Sequence, residues 1–411
     1  KPSPLGAFSA RVNPCPSVVS RAPVFPTPTS FRITGNHCSM PNKISTNQPN
    51  IKLIWTAMKE FSHFPAIAYF HGREQLGENR MALKLDIAFW DYDRTRALAQ
   101  GTVKLPNVDA TFHSAPIVTE IFEGVVRGHF DVSELGMTYF LRTFRGHESP
   151  FVAIPVFPNR AFRHSAIYVN KASGITRPED LNGKTIGELA LYSHDAGIMP
   201  KGILMDEYGF KPETCRWIIG GLDWPMKPID FVPRTHPANV QVTDIPKGKE
   251  LGAMLDAGEI DALISADNPK CVLEHSPGVT RLFPDYPAVE RAYYKRTGIF
   301  PIMHTVVVRR DVLAKNPGLA KTIYQAFCGA KQVAVKEYQH GLIFNNMGTM
   351  FPWFSNLVNE DRALLGDDWW PYGLSANREA IEAILRYHFE QGITQRQYKI
   401  EDIFVPDLLN T

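Results

Sequence analysis

Leu83-Lys-Leu-Asp-Ile-Ala-Phe-Trp-Asp-Tyr-Asp-Arg-Thr-Arg-Ala-Leu98 is the stretch that decides the fold class. Leu85 to Trp90 reads as a short buried strand, the polar turn Asp91-Tyr-Asp-Arg94 follows, and a helix runs through Leu98. The alternation then repeats. Val108 to Phe112 reads as a second strand, and Ile117, Ile121, Phe122, Val125 and Val126 fall at near-helical spacing before Gly128. Phe130 to Leu135 is a third strand, running into a helix around Tyr139–Phe144. Strand, helix and strand in close succession predict parallel pairing with right-handed crossovers.

Outward from there the α/β pattern persists with a change of register. Val152 to Phe157 and Ala166 to Val169 read as strands joined by a basic loop. Gly183 to Glu188 is a strand leading to Tyr192-Ser-His-Asp195 and a helix that ends near Gly209. Cys215 to Ile219 and Asp261 to Ser265 continue the series, with a helix near Leu251–Asp256 between them. His304 to Arg309 is a strand of the first type, and the tail is helical over Leu319–Glu337 and Ser375–Gln391. The simplest assembly has one lobe built from 81–180 and 301–411, with a second lobe, 181–300, inserted in it. Each lobe is expected to be a mostly parallel sheet flanked by helices, with a ligand cleft between them. Ligands of such folds sit outside the carboxyl ends of strands, which directs attention to Trp90–Arg94, Phe112–Ala115, Glu134–Thr138, Tyr192–Asp195 and Ser265–Asn268.

Composition narrows the function. The net charge of +2 hides a split, since residues 1–80 carry nine Lys or Arg against Glu60, Glu74 and Glu78. The remainder is slightly acidic, which argues against nucleic acid as its partner. No run approaches the roughly 18 apolar residues that a membrane span needs. Cys15, Cys38, Cys215, Cys271 and Cys328 are scattered and odd in number, so a disulfide framework is not expected and a reducing, cytoplasmic setting is. Residues 1–50 lack Asp and Glu and are rich in Pro, Ser, Thr and Asn, a composition that suits disorder, an organellar leader, or an extension upstream of a start at Met81. The sequence carries no sign either way on a homo-oligomer.

Several groups could carry chemistry. Asn159-Arg-Ala-Phe-Arg-His-Ser165 places Arg160, Arg163 and His164 between two strands with no acid nearby. Guanidinium forks match carboxylates, so this loop is either an anion clamp or a solvated basic loop. Asp91 and Arg94 at a strand end could supply a proton and a cation, or Asp91 could cap the helix. His194 precedes Asp195 at a helix start, and His304 lies where the chain crosses back between lobes. Each is equally readable as a cap or a core histidine. There is no HExxH, P-loop, GxSxG or GxGxxG motif, and the thirteen histidines show no metal-ligand spacing. No cofactor is called for, although a divalent-metal site of oxygen ligands would leave no spacing signature.

Four separated stretches, in order, resemble one family. They are Leu83 to Leu98, Phe157-Pro-Asn-Arg-Ala-Phe-Arg-His-Ser165, Lys295-Arg-Thr-Gly-Ile-Phe-Pro-Ile-Met-His304 and Trp370-Pro-Tyr-Gly-Leu-Ser-Ala-Asn-Arg378. Together they resemble 4,5-dihydroxyphthalate decarboxylases from Met81 to Asp407. The resemblance implies a fold like that of type II periplasmic binding proteins and a small aromatic carboxylate as substrate. It further implies a site with Arg160 and Arg163 on the carboxylate, Asp91 or His164 as acid, and His304 or His194 acting on the phenol. Trp90, Arg94 and Glu134 would contact the ligand. A solute-binding protein of the same fold and an aryl decarboxylase with another substrate are the alternatives. One departure concerns Ser265-Ala-Asp-Asn-Pro269, where an arginine-containing turn is expected. Asp267 would repel a carboxylate that such an arginine grips.

Overall fold

The protein is described by a computed structural model over residues 82–411; the expectations for residues 1–80, with Met81 as their boundary, lie outside the described residues. The chain opens with β1 (Leu83–Ala88), α1 (Asp93–Ala99), β2 (Val108–His113), α2 (Val118–Val126), β3 (Val132–Gly136), α3 (Met137–Arg142) and β4 (Phe151–Ile154). It then forms β5 (Ile167–Asn170), β6 (Thr185–Leu189), α4 (Asp195–Tyr208), β7 (Arg216–Gly220), β8 (Gln241–Asp244) and α5 (Leu251–Asp256). β9 (Ala262–Ile264), β10 (Val279–Arg281) and α6 (Tyr286–Thr297) complete that region. β11 (His304–Arg309), α7 (Leu319–Ile343), α8 (Phe354–Leu365) and α9 (Arg378–Glu390) follow.

Two sheets result, with strand orders β2-β1-β3-β11-β4 and β10-β5-β9-β6-β7-β8. The expected α/β architecture with two lobes is present, and both sheets are mixed rather than mostly parallel. β1 pairs in parallel with β2 and β3, as short βαβ units require. β11 runs antiparallel to both β3 and β4, because the chain re-enters the first sheet from the end where the lobes meet. In the second sheet β5 is antiparallel to β9 and β10, while β6 is parallel to β7 and β9. β5 pairs wholly in the second sheet, so that sheet begins before residue 180. β8 is a mostly exposed edge strand whose one apolar residue is Val242, so it carries no apolar alternation to read in the sequence.

The chain crosses between the sheets twice, and the two crossings pair with each other. Arg160 bridges Ile302 in antiparallel fashion. Asn159 O accepts from Met303 N at 3.0 Å and from His304 N at 3.2 Å. This double crossing carries the basic loop on one strand and His304 at the exit of the other.

The C-terminal tail joins both sheets. Phe404 bridges Ala153 of β4. α9 packs on α4, where Arg386 and the Tyr387 hydroxyl both bind Asp206, and Gln391 Nε2 donates to Ile198 O at 2.8 Å. Gly202 of α4 sits directly under the Tyr387 ring, so that a methyl group there would overlap the ring. Among the described residues no helix is long and apolar enough to cross a membrane.

Gly202→Ala should therefore destabilise the protein, although alanine is the better helix former. Relief of the glycine is worth about 0.5–1 kcal/mol, whereas overpacking a dense contact costs about 1–3 kcal/mol. A lowered midpoint in thermal unfolding checks this.

Candidate active site

Glu134 lies in β3 with no exposed surface. Its Oε1 accepts from the Tyr92 hydroxyl at 2.6 Å and faces His304 Nδ1 at 2.6 Å; its Oε2 accepts from Trp90 N at 2.9 Å. A carboxylate can only accept, so this network assigns the proton to Nδ1 of His304. Nε2, on the opposite side of the ring, points away from Glu134, and no described residue hydrogen-bonds it. The imidazole ring lies perpendicular to that of Phe122, with centroids 5.0 Å apart. Burial, together with the Glu134 charge, pushes the Tyr92 hydroxyl well above its ordinary range, so it stays a donor.

Asp195 opens α4 on the second lobe and is 4% exposed. Its Oδ1 accepts from Thr138 N at 2.7 Å, and Oδ2 has no partner among the described residues. Burial raises its pKa; the charges of His304, His194 and Arg163 and the Thr138 hydrogen bond oppose that without cancelling it. Gly136 is needed here, since a side chain at that position would overlap the Asp195 carboxyl. Thr138 is braced in turn by His388 of α9. His388 Nδ1 donates to Ile384 O at 2.6 Å, leaving Nε2 to accept from the Thr138 hydroxyl at 2.8 Å. Burial pushes His388 down to about 3, which keeps it neutral in that role.

Arg163 is 8% exposed, and among the described residues its only side-chain hydrogen bond is from Nε to Met303 Sδ at 3.1 Å. Both terminal nitrogens lack partners among the described residues. Burial lowers its pKa to about 10, with Asp195 and Asp267 pulling the other way. A desolvated guanidinium with open donors is suited to a carboxylate.

His304 pairs with Gly136, which lies against the Asp195 carboxyl, and Arg163 bonds Met303 next to His304, so an imidazole, a carboxyl of raised pKa and a guanidinium with open donors gather around the double crossing. The chain is 32% identical over 330 residues to a 4,5-dihydroxyphthalate decarboxylase of Comamonas testosteroni, spanning 80% of this chain and 98% of that protein. It belongs to the 4,5-dihydroxyphthalate decarboxylase family. A second 4,5-dihydroxyphthalate decarboxylase, from Pseudomonas putida, is 33% identical over 214 residues, or 52% of this chain and 82% of that one. No protein-family model matches the chain. Among solved structures, a sulfonate-binding protein of Methylobacillus flagellatus aligns over 80% of this chain and 94% of its own. Its identity is 16% and its TM-score 0.48. The aliphatic sulphonate binding protein of Escherichia coli aligns over 78% and 92%, with 14% identity and a TM-score of 0.45.

Within this decarboxylase-family site, the other residues singled out in the sequence have different surroundings. Arg160 is turned into the tail: Nη1 donates to Pro371 O at 3.2 Å and to Asn377 Oδ1 at 2.7 Å, and Nη2 to Phe300 O at 2.7 Å. It ties the crossing to the tail and has no free fork for a ligand. His164 lies between Phe283 and Tyr293 with both ring nitrogens unpartnered, and burial pushes it down to about 4. Asp91 is solvent-exposed and paired with Arg96. Arg94 is stacked between the rings of Tyr92 and Trp370, 4.2 Å from each centroid, and donates to Pro158 O. Trp90 is 40% exposed and gives its backbone N–H to Glu134. Glu134 is enclosed by protein donors and has no exposed surface to offer a ligand.

His194 faces the interior of the second lobe, with Nδ1 3.3 Å from Glu188 Oε1. Glu188 also accepts from Lys201 Nζ at 2.6 Å. Burial pushes Glu188 up, but Lys201 and His194 outweigh it and leave the carboxyl below its ordinary value. Burial takes Lys201 down to about 8. Asp195, named in the sequence only as part of a helix start, is the site residue that sequence reasoning missed. Its cue was the acid–helix junction at the carboxyl end of β6. Among the described residues no three His, Cys, Asp or Glu side chains gather as a metal site would need.

Asp195→Asn should leave the fold intact or strengthen it. Because folding raises the Asp195 pKa, the associated stability is complete below the ordinary carboxylate range and is lost as pH rises through the raised value. Asparagine still accepts from Thr138 N and never ionises. The variant should unfold at the same or a higher temperature than the parent at pH 8, with the difference vanishing near pH 4.

Proposed function

We propose that this protein removes one carboxylate from 4,5-dihydroxyphthalate, releasing carbon dioxide and leaving protocatechuate. What supports the reading is that the Asp195 carboxyl lies against Gly136, the strand partner of His304, while Arg163 bonds Met303 beside it, in a chain from this family. An aryl carboxylate does not lose carbon dioxide directly, because the pair of electrons left in the ring plane has nothing to stabilise it. Protonating the ring carbon that bears the carboxylate creates an electron sink, and a para hydroxyl supplies density as it gives up its proton.

The residues divide these tasks as follows. Arg163 holds the carboxylate that stays. Asp195 gives its proton to the ring carbon, forming the C–H bond. The neighbouring carbon–carbon bond then breaks, its electron pair restores the aromatic ring, and carbon dioxide leaves. His304, oriented by Glu134, takes the para hydroxyl proton and returns it as the ring rearomatises. Each turnover consumes one proton, which solvent restores to Asp195.

The test is incubation of the full chain with 4,5-dihydroxyphthalate, following carbon dioxide and protocatechuate. Binding without turnover would instead favour a solute-binding role. Asp195→Asn should lower kcat by roughly 10²- to 10⁴-fold, the usual worth of a general acid. Activity should fall as pH rises through the raised Asp195 pKa, because the acid works only while protonated. Arg163→Met should abolish turnover and weaken binding roughly 10- to 100-fold; unchanged kinetics in that variant would remove Arg163 from the site.

A further inference from the structure

α7 and α8 form a hairpin that leaves the body of the protein. The buried residues of α7 run from Leu319 to Ala334, and none of its residues beyond that point is buried. The remainder of the helix, to Ile343, projects about 13 Å at a rise of about 1.5 Å per residue. α8 has no buried residue at all. The arm is braced at its base. The Tyr338 hydroxyl donates to Asp93 Oδ2, the Tyr338 ring stacks on Phe354 with centroids 5.5 Å apart, and Glu360 pairs with Arg291 of α6 at 3.4 Å. The turn between the helices is closed by Asn346 N, which donates to Gly341 O at 2.7 Å, and by Thr349 N, which donates to Asn346 O at 3.0 Å.

The tip of this arm is apolar and stands in solvent. Ile343, Phe344, Met347, Met350, Phe351 and Trp353 are each at least half exposed, with Met350 at 99%. A whole large side chain offers about 150–250 Å², so these six together present on the order of 800 Å². The largest apolar patch on an ordinary monomer is about 300–600 Å², whereas a standard interface buries about 800 Å² on each partner. The tip therefore amounts to one whole side of a stable interface. α8 points the same way. A helix of 12 residues is marginal in water by itself and draws its stability from a covered apolar face, yet Leu357 of α8 is exposed as well.

Charge decides between the occupants. No Asp, Glu, Lys, Arg or His occurs from Gly341 to Asn359. A two-fold contact sets a patch against its own copy, so a charge within it would meet its like; an uncharged patch has no such cost. An anionic membrane or a nucleic acid would instead call for a basic collar. The flanks carry mixed charges, Lys336 beside Glu337 and Glu360 and Asp361 before Arg362, and Arg362 is held by Asp367 at 2.6 Å. We propose that the tip of the α7–α8 arm is the dimerisation surface of this protein, covered by the same tip of a second copy. The inference stands apart from the decarboxylase reading, since Glu134, Arg163, Asp195 and His304 all lie outside the arm.

Sedimentation equilibrium on the full chain at micromolar concentration provides the test. The parent should have the mass of a dimer. Met350→Glu and Trp353→Glu should each weaken self-association roughly 100-fold or more, because a dry interface would have to bury an unpaired charge, and the mass should fall to that of a monomer. Both side chains are exposed in the single chain, so far-UV circular dichroism of the variants should match the parent. A monomeric parent would overturn the proposal, and so would variants that keep the parent's mass with their fold intact. Flotation of a monomeric parent with neutral phosphatidylcholine vesicles would give the tip to a bilayer instead and overturn it equally.

Discussion

The enclosed carboxylate of Glu134 is the constraint around which the first lobe and its chemistry are arranged. A carboxylate with no exposed surface is costly unless its lone pairs are used, and here Trp90, Tyr92 and His304 use them. Those three donors come from the end of β1, from the turn before α1, and from the start of β11. One buried acid thus fixes the loop after β1, the last strand to join the sheet, and the tautomer of the imidazole. The site inherits its order from that requirement. His304 presents Nε2 because Nδ1 is engaged, and it stays in register because Asn159 holds its backbone from the opposite crossing.

The second half of the site is organised by a different requirement, the partial burial of groups whose ionised forms are disfavoured. Asp195 is kept by Thr138 on one oxygen and left open on the other, and Thr138 is held from behind by His388. Arg163 and Asp195 offset one another's burial without pairing. Such a cleft is strained toward an incoming anion with a proton to receive, which is the electrostatic demand of the proposed reaction.

Much of the architecture was legible because it follows from periodicity. β1, β2, β3, β7 and β11 lie where runs of apolar residues place strands, and α4 ends at Gly209 in the left-handed conformation expected of that cap. The antiparallel entry of β11 was not legible, since strand direction depends on where the chain arrives from. In the site, Arg163 and His304 were visible as polar residues at a crossing. Arg160 and His164, close to Arg163 in sequence, went elsewhere for a steric reason. Along an extended segment residues 160 and 163 point to opposite sides, and the chain then tightens into a short 3₁₀ turn at His164. Asp91 is local to a strand end in sequence, but its partner Arg96 and solvent claim it. Asp195 was the hardest to see, because the burial that sets its carboxyl apart from an ordinary helix-starting acid has no signature in the sequence.

The position of β11 also sets the order in which the molecule can be assembled. Its two neighbours, β3 and β4, are made before the whole of the second lobe, and β11 after it. A growing chain therefore holds β3 and β4 with facing edges unpaired through the synthesis of about half the described protein. Long-range pairing of this kind folds slowly and leaves strand edges open to other chains. His304 arrives with the strand that fills the space, so the imidazole reaches Glu134 in the same event that closes the sheet. Closure of the first sheet and engagement of Glu134 by His304 are therefore one step.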